Sequence, residues 1–260
     1  MEYREHRARK RFGQNFLSDP NIIRKIVDAI RPRQGETLVE IGPGLAAMTD
    51  PLIERLGHMH VVEIDRDLIA RLRDRYAPAQ LSIHEGDALK FDFANLPAPL
   101  RVVGNLPYNI STPLLFHLAG FAERVTDMVF MLQKEVVMRM VAEPGSDDYG
   151  RLSVMLQYRF RMARLFDVPP GAFTPAPKVV SSIVRMIPKD AGTLDARDEN
   201  LLGRIVTAAF GQRRKTLRNT LRAFLNEADF AALDLDPQLR GEVLSLERFV
   251  AISNYVADRA

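Results

Sequence analysis

The chain has 260 residues, with 36 Lys and Arg against 33 Asp and Glu, so its formal net charge is +3. An apolar fraction of 47% and a charged fraction of 27% are typical of globular proteins and exclude a wholly disordered or collagen-like chain. The absence of Cys excludes disulfides, thiolate zinc sites and a cysteine nucleophile, and the five His residues have no metal-ligand spacing.

The first part of the chain alternates between predicted strands and helices. The capping residues Ser18 and Asp19 before Pro20 predict a helix over 20–30, and the apolar segment 37–41 predicts a buried strand. Further strands are predicted over 60–64, 81–84, 101–104 and 128–132, and further helices over 45–56, 66–76, 113–120 and 133–142. Apolar strands that alternate with helices favour a parallel sheet covered on both faces.

The last part of the chain has a different pattern. Residues 165–168 and 179–187 are predicted strands joined by a proline-rich loop, which favours an antiparallel hairpin at a sheet edge. A polar linker over 189–198 precedes predicted helices at 199–225, 228–233, 236–241 and 245–257. We therefore expect an α/β domain over 1–192 and a small all-α domain over 193–260.

No secretion signal or membrane span is predicted. The charged residues 2–11 are not followed by an apolar segment, and the uncharged run 102–122 is interrupted by Pro107 and Pro113. We expect a soluble, cytoplasmic protein.

The loop after the first predicted strand of the sheet has the pattern of a nucleoside pocket. Gly42 and Gly44 allow a ligand to approach the backbone, whereas Pro43 removes an amide that could bind a diphosphate. Glu63, at the end of the next strand, can accept both hydroxyls of a ribose, and Asp87, after the third strand, can accept from an adenine amine. An acid-lined pocket without a phosphate cradle suits a sulfonium cofactor and resembles that of the S-adenosylmethionine-dependent methyltransferases.

The tetrapeptide from Asn105 to Tyr108 follows the fourth strand of the predicted sheet. The Asn105 side-chain carbonyl and a main-chain carbonyl of Leu106 or Pro107 can accept the two N–H groups of an aromatic amine and aim its lone pair at an electrophile. Tyr108 offers a flat surface for the base. Phe173 is the predicted second aromatic of a sandwich around the base, and Phe12, Phe16 and Phe210 are weaker candidates with a better fit to the core.

Three stretches of the chain, 1–12, 151–164 and 201–222, carry an excess of cations. Of the 36 Lys and Arg, 29 are Arg, whose guanidinium forks match phosphate and stack on bases. The pattern favours nucleic-acid binding, although a solvated basic surface would look the same.

Several motifs together resemble the ribosomal RNA adenine dimethyltransferase family, in the branch that acts on the small subunit. The motifs are Gly13-Gln14-Asn15-Phe16-Leu17, Val39-Glu40-Ile41-Gly42-Pro43-Gly44, Asn105-Leu106-Pro107-Tyr108-Asn109-Ile110-Ser111, Phe130-Met131-Leu132-Gln133-Lys134-Glu135, Phe173-Thr174-Pro175-Ala176-Pro177-Lys178 and Gln212-Arg213-Arg214-Lys215-Thr216-Leu217-Arg218-Asn219. The match covers about residues 9–256 and departs from the family pattern at Ala46, where the family often has Gly.

The resemblance implies a Rossmann-like class I methyltransferase domain that uses S-adenosylmethionine. It implies that two adjacent adenosines in the 3′-terminal hairpin of 16S rRNA, within an assembling small subunit, become N6,N6-dimethyladenosine. The implied cofactor residues are Asn15, Leu17, Gly42, Glu63, Asp87 and Asn105. The implied catalytic residues are Asn105, Leu106, Pro107, Tyr108 and Phe173. The implied rRNA-docking residues are Arg213, Arg214, Lys215 and Arg218. We expect a monomer that needs neither a metal nor a membrane.

Three alternatives remain open from the sequence. The sister enzymes that dimethylate 23S rRNA share the glycine turn and a similar Asn105 loop, but the 173–178 loop and the 212–219 run favour the 16S enzyme. A ribosome-assembly factor with little methylation is a second alternative, and a DNA adenine methyltransferase is a third.

Overall fold

The computed structural model describes residues 15–259 of the chain. The strands of this range are β1 (Phe16–Leu17), β2 (Thr37–Ile41), β3 (Met59–Glu63), β4 (Leu81–Glu85), β5 (Leu100–Asn105), β6 (Val125–Gln133), β7 (Phe160–Val168), β8 (Phe173–Thr174) and β9 (Ser181–Pro188). The α-helices are α1 (Pro20–Ile30), α2 (Thr49–Leu56), α3 (Arg66–Arg75), α4 (Ser111–Ala119), α5 (Lys134–Val141), α6 (Arg151–Arg159), α7 (Glu199–Gly211), α8 (Leu217–Thr220), α9 (Glu227–Ala232) and α10 (Leu246–Ala257).

Seven strands form one sheet in the order β4-β3-β2-β5-β6-β9-β7. The five strands from β4 to β6 are parallel, and β9 runs antiparallel to β6. The strand order reverses between β2 and β5, so the loops that leave these two strands diverge and open a crevice at their carboxyl ends. The predicted parallel sheet with an added edge pair is confirmed.

The chain around β1 is fastened to the loop before β9. Leu17 lies opposite Phe173 in a two-stranded antiparallel pair, and Ser18 N donates to Ala172 O at 2.8 Å. Asp19 then caps α1, because its carboxylate accepts from the amides of Asn21 and Ile22. The predicted start of this helix is confirmed.

The chain divides into two compact units. Of the described residues, 15–137 and 163–188 form one unit, and 138–162 and 189–259 form the other. Each has its own core of buried apolar side chains. The second unit includes α6, which periodicity does not predict, and the division at 192/193 stays a prediction.

Two predicted helices of the C-terminal part are wrong in detail. The predicted helix 199–225 is interrupted between Gly211 and Leu217, and 236–241 forms turns rather than a helix. The interruption coincides with the most basic run of the chain, where four adjacent exposed side chains leave no apolar face to pack. As predicted, the described residues after 198 include no strand.

Strand β5 passes very close to β2 at Gly104. A Cβ at this position would lie 2.6 Å from the carbonyl oxygen of Ile41 and 3.1 Å from Leu106 Cδ2. Because the nearer atom belongs to the backbone of a buried strand, only a shift of one strand could relieve the overlap. The glycine therefore fixes the distance between the two strands from which the crevice opens.

We expect Gly104→Ala to lower the free energy of unfolding by about 2–3 kcal/mol, since overpacking a buried position typically costs about 1–3 kcal/mol. Urea unfolding followed by circular dichroism measures the difference. Gly171→Ala is the matched control, because a Cβ there meets nothing within 4 Å. Equal stabilities of the two variants would show that β5 is not held at this distance.

Candidate active site

A cavity of about 260 Å³ opens at the carboxyl ends of β2, β3 and β5. Its lining comes from the segment before α1 and from the loops that follow β2, β3, β4 and β5. The predicted cofactor residues Asn15, Leu17, Gly42, Glu63, Asp87 and Asn105 all line it, as do Leu106, Pro107 and Tyr108. The structure thus brings together residues that the sequence separates by up to 93 positions.

The glycine turn after β2 uses left-handed backbone at three alternate positions. Gly42 has φ +67°, Gly44 has φ +59° and Ala46 has φ +69°. The turn displaces the start of α2 to Thr49, so the predicted helix start at residue 45 is wrong. Ala46 is only 1% exposed and occupies a conformation that costs a residue with a Cβ about 1–2 kcal/mol.

Phe16 covers this turn, although the sequence gives it a better fit to the core. It lines the cavity, and a Cβ on Gly44 would lie 3.2 Å from its Cδ1 atom. The contact requires a residue without a side chain at position 44. The pairing of β1 with β8 holds Phe16 in place, and no local sequence signal indicates that long-range pairing.

Glu63 and Asp87 lie on the cavity wall as predicted. Glu63 accepts from the amides of Ile64 and Asp65 at 2.9 Å each, and from that of Gly44. Burial raises the pKa of Glu63, and these three amides counteract the rise. Asp87 accepts from Leu89 N at 3.0 Å, which orients its carboxylate at the end of β4.

Glu40 is a further functional candidate, which the sequence indicates only as one residue of the motif over 39–44. It lines the cavity, is 1% exposed, and accepts from Thr49 Oγ1 at 2.7 Å. Burial raises its pKa from the ordinary value of 4.5 to about 7, against the opposing effect of the Thr49 hydrogen bond. The E-x-G-x-G pattern predicts an acidic residue at this position. It does not predict that the side chain is buried, because the burial depends on packing against α2.

The raised pKa predicts a pH-dependent stability. The folded protein binds the Glu40 proton more tightly than the unfolded chain does, so this stabilisation is complete below pH 4.5 and is lost as the pH rises through 7. We expect the unfolding free energy of the wild type, relative to Glu40→Gln, to fall by about 2–3 kcal/mol between pH 5 and pH 8. Urea titrations at both pH values measure it, with Glu54→Gln, an exposed position of α2, as the control. A difference that does not change with pH would contradict the assignment.

The loop after β5 holds Asn105 at the cavity. Its Nδ2 donates to the Asn15 carbonyl oxygen at 3.1 Å, which leaves the side-chain oxygen Oδ1 as the acceptor for an incoming N–H group. Leu106 is 1% exposed, and its amide donates to Met131 O at 3.2 Å. The carbonyl of Pro107 accepts from Ile110 N at 3.2 Å within the loop. Of the two main-chain acceptors suggested by the sequence, the Leu106 carbonyl is therefore the better second partner of Asn105.

The two predicted aromatics have different surroundings. Tyr108 lines the cavity, and its hydroxyl lies 2.6 Å from Oγ of the buried Ser181, a contact that fixes the ring. Burial raises the pKa of Tyr108, so the phenol stays neutral at physiological pH. Phe173 is 4% exposed, packs in the core beside Leu17 and lies outside the cavity lining, so its role against a base stays a prediction.

The predicted docking residues are exposed in the segment that separates α7 from α8 and at the start of α8. Arg213 donates to Asp147 O at 2.6 Å, and Arg218 pairs with Glu227 at 3.0 Å. Within residues 15–259, no carboxylate within 4 Å is found for Arg214 or Lys215. These two cations are therefore the most available for an anionic partner.

The described residues show neither a metal cluster nor a membrane-spanning helix. Across 15–259 there is no group of three or more His, Asp or Glu side chains placed to hold a metal ion. Over the same residues, no helix combines the length and the apolar character that crossing a bilayer requires.

Comparison with known proteins gives concordant results. The family described as ribosomal RNA adenine dimethylase matches residues 5–258. The chain is 78% identical to the ribosomal RNA small subunit methyltransferase A of Aromatoleum aromaticum over 98% of this chain and 97% of that protein. It is 62% identical to the protein of the same name from Thiobacillus denitrificans, over 98% of this chain and 100% of that one.

Solved structures share the fold. A dimethyladenosine transferase from Plasmodium falciparum superposes with a TM-score of 0.79 at 24% identity, covering 94% of this chain and 98% of that one. The 23S rRNA methyltransferase ErmE superposes with a TM-score of 0.71 at 22% identity, covering 94% and 100%. The predicted Rossmann-like class I methyltransferase fold is confirmed.

Proposed function

The chain belongs to the ribosomal RNA adenine dimethylase family, and on that premise we propose that it methylates N6 of two adjacent adenosines in the 3′-terminal hairpin of 16S rRNA. It is a ribosomal RNA methyltransferase that makes N6,N6-dimethyladenosine. The small-subunit target is favoured over 23S rRNA by relatives at 78% and 62% identity whose names specify the small subunit. The likeness to ErmE, at 22% identity, is one of fold alone.

The observation that carries the proposed chemistry is the meeting of Asn105, Glu63 and Asp87 in one cavity. S-adenosylmethionine fits this donor set, because the lining offers carboxylates for a ribose and an adenine amine and a glycine turn open to the backbone. When bound, the cofactor supplies an electrophilic methyl group on a sulfonium. Gly42, Glu63, Asp87 and the segment Asn15–Leu17 would hold it.

The protein's part in the reaction is positioning. The side-chain oxygen of Asn105 and the Leu106 carbonyl would accept the two N–H groups of the target amine, which directs its lone pair into the cavity. Tyr108, with its hydroxyl fixed on Ser181, would stack on the base. The methylated amine is cationic and loses its proton readily to water, so no protein base is required.

We expect the ring of Tyr108 to matter more than its hydroxyl. Loss of a neutral hydrogen bond costs about 1 kcal/mol, whereas loss of a stacked ring costs about 1–3 kcal/mol per base. Tyr108→Phe is therefore expected to lower kcat/KM by about fivefold, and Tyr108→Ala by about 10- to 100-fold. Initial rates with tritiated cofactor measure both, and similar losses in the two variants would argue against stacking.

The proposal extends to the setting of the reaction. The basic residues Arg213, Arg214, Lys215 and Arg218 would contact rRNA phosphates, and the substrate would be an assembling small subunit. A ribosomal substrate implies a cytoplasmic enzyme, which we propose acts as a monomer without a metal.

Mass spectrometry tests the proposal directly. Small subunits that lack the modification are incubated with the protein and S-adenosylmethionine, and nuclease digests of 16S rRNA are searched for dimethyladenosine. We expect two adjacent dimethyladenosines in the 3′-terminal hairpin. Large subunits and duplex DNA serve as parallel substrates, and modification of either instead of 16S rRNA would overturn the assignment. Normal subunit maturation with an inactive Asn105→Ala enzyme would favour an assembly role.

A further inference from the structure

The charged side chains that the structure describes in the cavity lining are all acidic. Among the described residues that line it, three carry carboxylates, Glu40, Glu63 and Asp87, and none is Lys, Arg or His. A site of this kind favours a cation over a neutral molecule of the same shape. The sulfonium cofactor carries one more positive charge than the thioether that remains after methyl transfer, so the cavity is built to distinguish them.

Glu40 differs from the other two carboxyl groups in its hydrogen bonding. Glu63 accepts from three backbone amides and Asp87 from one, and amide donors favour the ionised form. Glu40 is held by a single hydroxyl, that of Thr49, and is 1% exposed. Of the three carboxyl groups, Glu40 is therefore the one whose ionised form is least stabilised by hydrogen bonds from backbone amides.

Within residues 15–259, the groups that act on the Glu40 carboxyl add no positive charge next to it. From β3 it faces Glu63, and from α2 it faces Thr49 and Asp50. Tyr76, directly after α3, also lies close enough to Glu40 for an electrostatic interaction, and its hydroxyl donates to Asp50. Arg75 is paired with Asp50, so that cation is already engaged by a carboxylate. A cationic ligand in the cavity would therefore be the strongest new influence on the Glu40 carboxyl.

We propose that Glu40 is a specificity-determining residue that ionises when the sulfonium cofactor binds and is protonated again when the thioether product remains. The proposal rests on the proposed cofactor of this cavity. Binding of the cofactor would release the Glu40 proton to solvent, because the positive charge of the ligand favours the carboxylate. On methyl transfer, the electron pair of the broken S–C bond stays on sulfur, the methyl group goes to N6 of adenine, and the methylated nitrogen releases its proton to water. Because the ligand has then lost its sulfonium charge, the Glu40 carboxylate takes a proton from solvent and holds the product less tightly.

Isothermal titration calorimetry at pH 7 tests the proposal on the full chain. S-adenosylmethionine and S-adenosylhomocysteine are titrated separately in phosphate and in Tris, whose different ionisation enthalpies reveal protons released on binding. The variants are wild type, Glu40→Gln, which resembles the protonated carboxyl, and Glu54→Gln as the exposed control. We expect the wild type and the control to release about half a proton more with S-adenosylmethionine than with the product, and Glu40→Gln to release the same number with both.

The affinities give a second readout. We expect Glu40→Gln to reduce the preference for S-adenosylmethionine over S-adenosylhomocysteine by at least about fivefold, the lower end of typical coupling between sites. Equal proton release by the wild type with both ligands would overturn the proposal, and that measurement needs no variant. An unchanged preference in a folded Glu40→Gln protein would also overturn it. Failure of the wild type to bind either ligand would instead count against the proposed cofactor.

Discussion

Replacing Asn105 with Ala is expected to lower methyl transfer by at least about 10²-fold, the usual cost of removing one preorganised partner of a transition state. The amine of adenine is a weak nucleophile because its lone pair is delocalised into the ring. In the proposed mechanism, an acceptor at Oδ1 of Asn105 would direct that lone pair out of the ring plane and toward the cofactor. Ala offers no acceptor at this point, so the amine would reach the cofactor without the required orientation.

The same substitution is expected to leave the affinity for S-adenosylmethionine within a few-fold of wild type. Of the predicted cofactor residues, Gly42, Glu63 and Asp87 lie at the ends of strands other than β5, so most of the predicted contacts do not depend on Asn105. Single-turnover rates and equilibrium binding of the cofactor separate the two effects. Asn95→Ala, an exposed asparagine outside the cavity lining, controls for the loss of an amide.

A graded variant makes the test sharper. Asn105→Asp keeps an oxygen acceptor but loses the Nδ2 donor that binds the Asn15 carbonyl at 3.1 Å. We expect its rate to lie between those of wild type and Asn105→Ala, because the acceptor remains while its orientation is weakened. Near-normal turnover of Asn105→Ala would reject the proposed role of the loop.

The parallel half of the fold is readable from the sequence because most of its strands are short apolar runs, and β2, β5 and β6 are buried along nearly their whole length. Thr37–Ile41 is a predicted strand whose limits match the structure, and Glu63 and Asp87 follow from the positions at which β3 and β4 end. Carboxyl ends of neighbouring parallel strands meet at one edge, so residues far apart in the chain converge without any knowledge of loop geometry.

What the sequence does not reveal depends on contacts between distant segments. Phe16 reaches the cavity because β1 pairs with β8, more than 150 residues away, and the burial of Glu40 depends on the packing of α2 against β2. Arg101 is a further case. It is 8% exposed inside an apolar strand, where Asp127 binds it at 2.6 and 2.9 Å and the carbonyl of Ile30 accepts at 2.6 Å. Periodicity identifies the strand but not the partners that make a buried cation tolerable.

Backbone conformation sets a second limit on how well the sequence predicts where helices begin and end. The helix expected from residue 45 begins at Thr49, because Ala46 adopts φ +69° and the turn continues past the second glycine. The helix expected to run to residue 225 stops at Gly211, and a basic turn intervenes before α8. In both places the sequence is compatible with a helix and the tertiary structure requires a turn. Both turns carry residues of the proposed function.

The second large effect is expected on the salt dependence of binding, from the basic turn between α7 and α8. We expect Arg214→Ser combined with Lys215→Ser to reduce the slope of log K against log salt for binding to small subunits by about 1.4–1.8, since each phosphate contact contributes about 0.7–0.9. Both side chains are exposed, and no carboxylate of the described residues lies within 4 Å of either, so neither must break an internal ion pair to reach a phosphate. Arg213 and Arg218, which already have acceptors at Asp147 and Glu227, are expected to contribute less.

The matched control is Arg73→Ser combined with Arg75→Ser on α3. This control also removes two positive charges from the chain. Its two side chains, however, are paired with Glu85 and Asp50. Filter binding of labelled subunits between about 0.05 and 0.2 M salt measures the slopes of wild type and both double variants. If net charge alone governs binding, the salt slope will fall by the same amount in both double variants. If the turn before α8 docks on rRNA, the slope will fall only in the Arg214 and Lys215 variant. A salt-independent affinity of the wild type would exclude phosphate contacts as the source of binding, and the basic turn would then need another role.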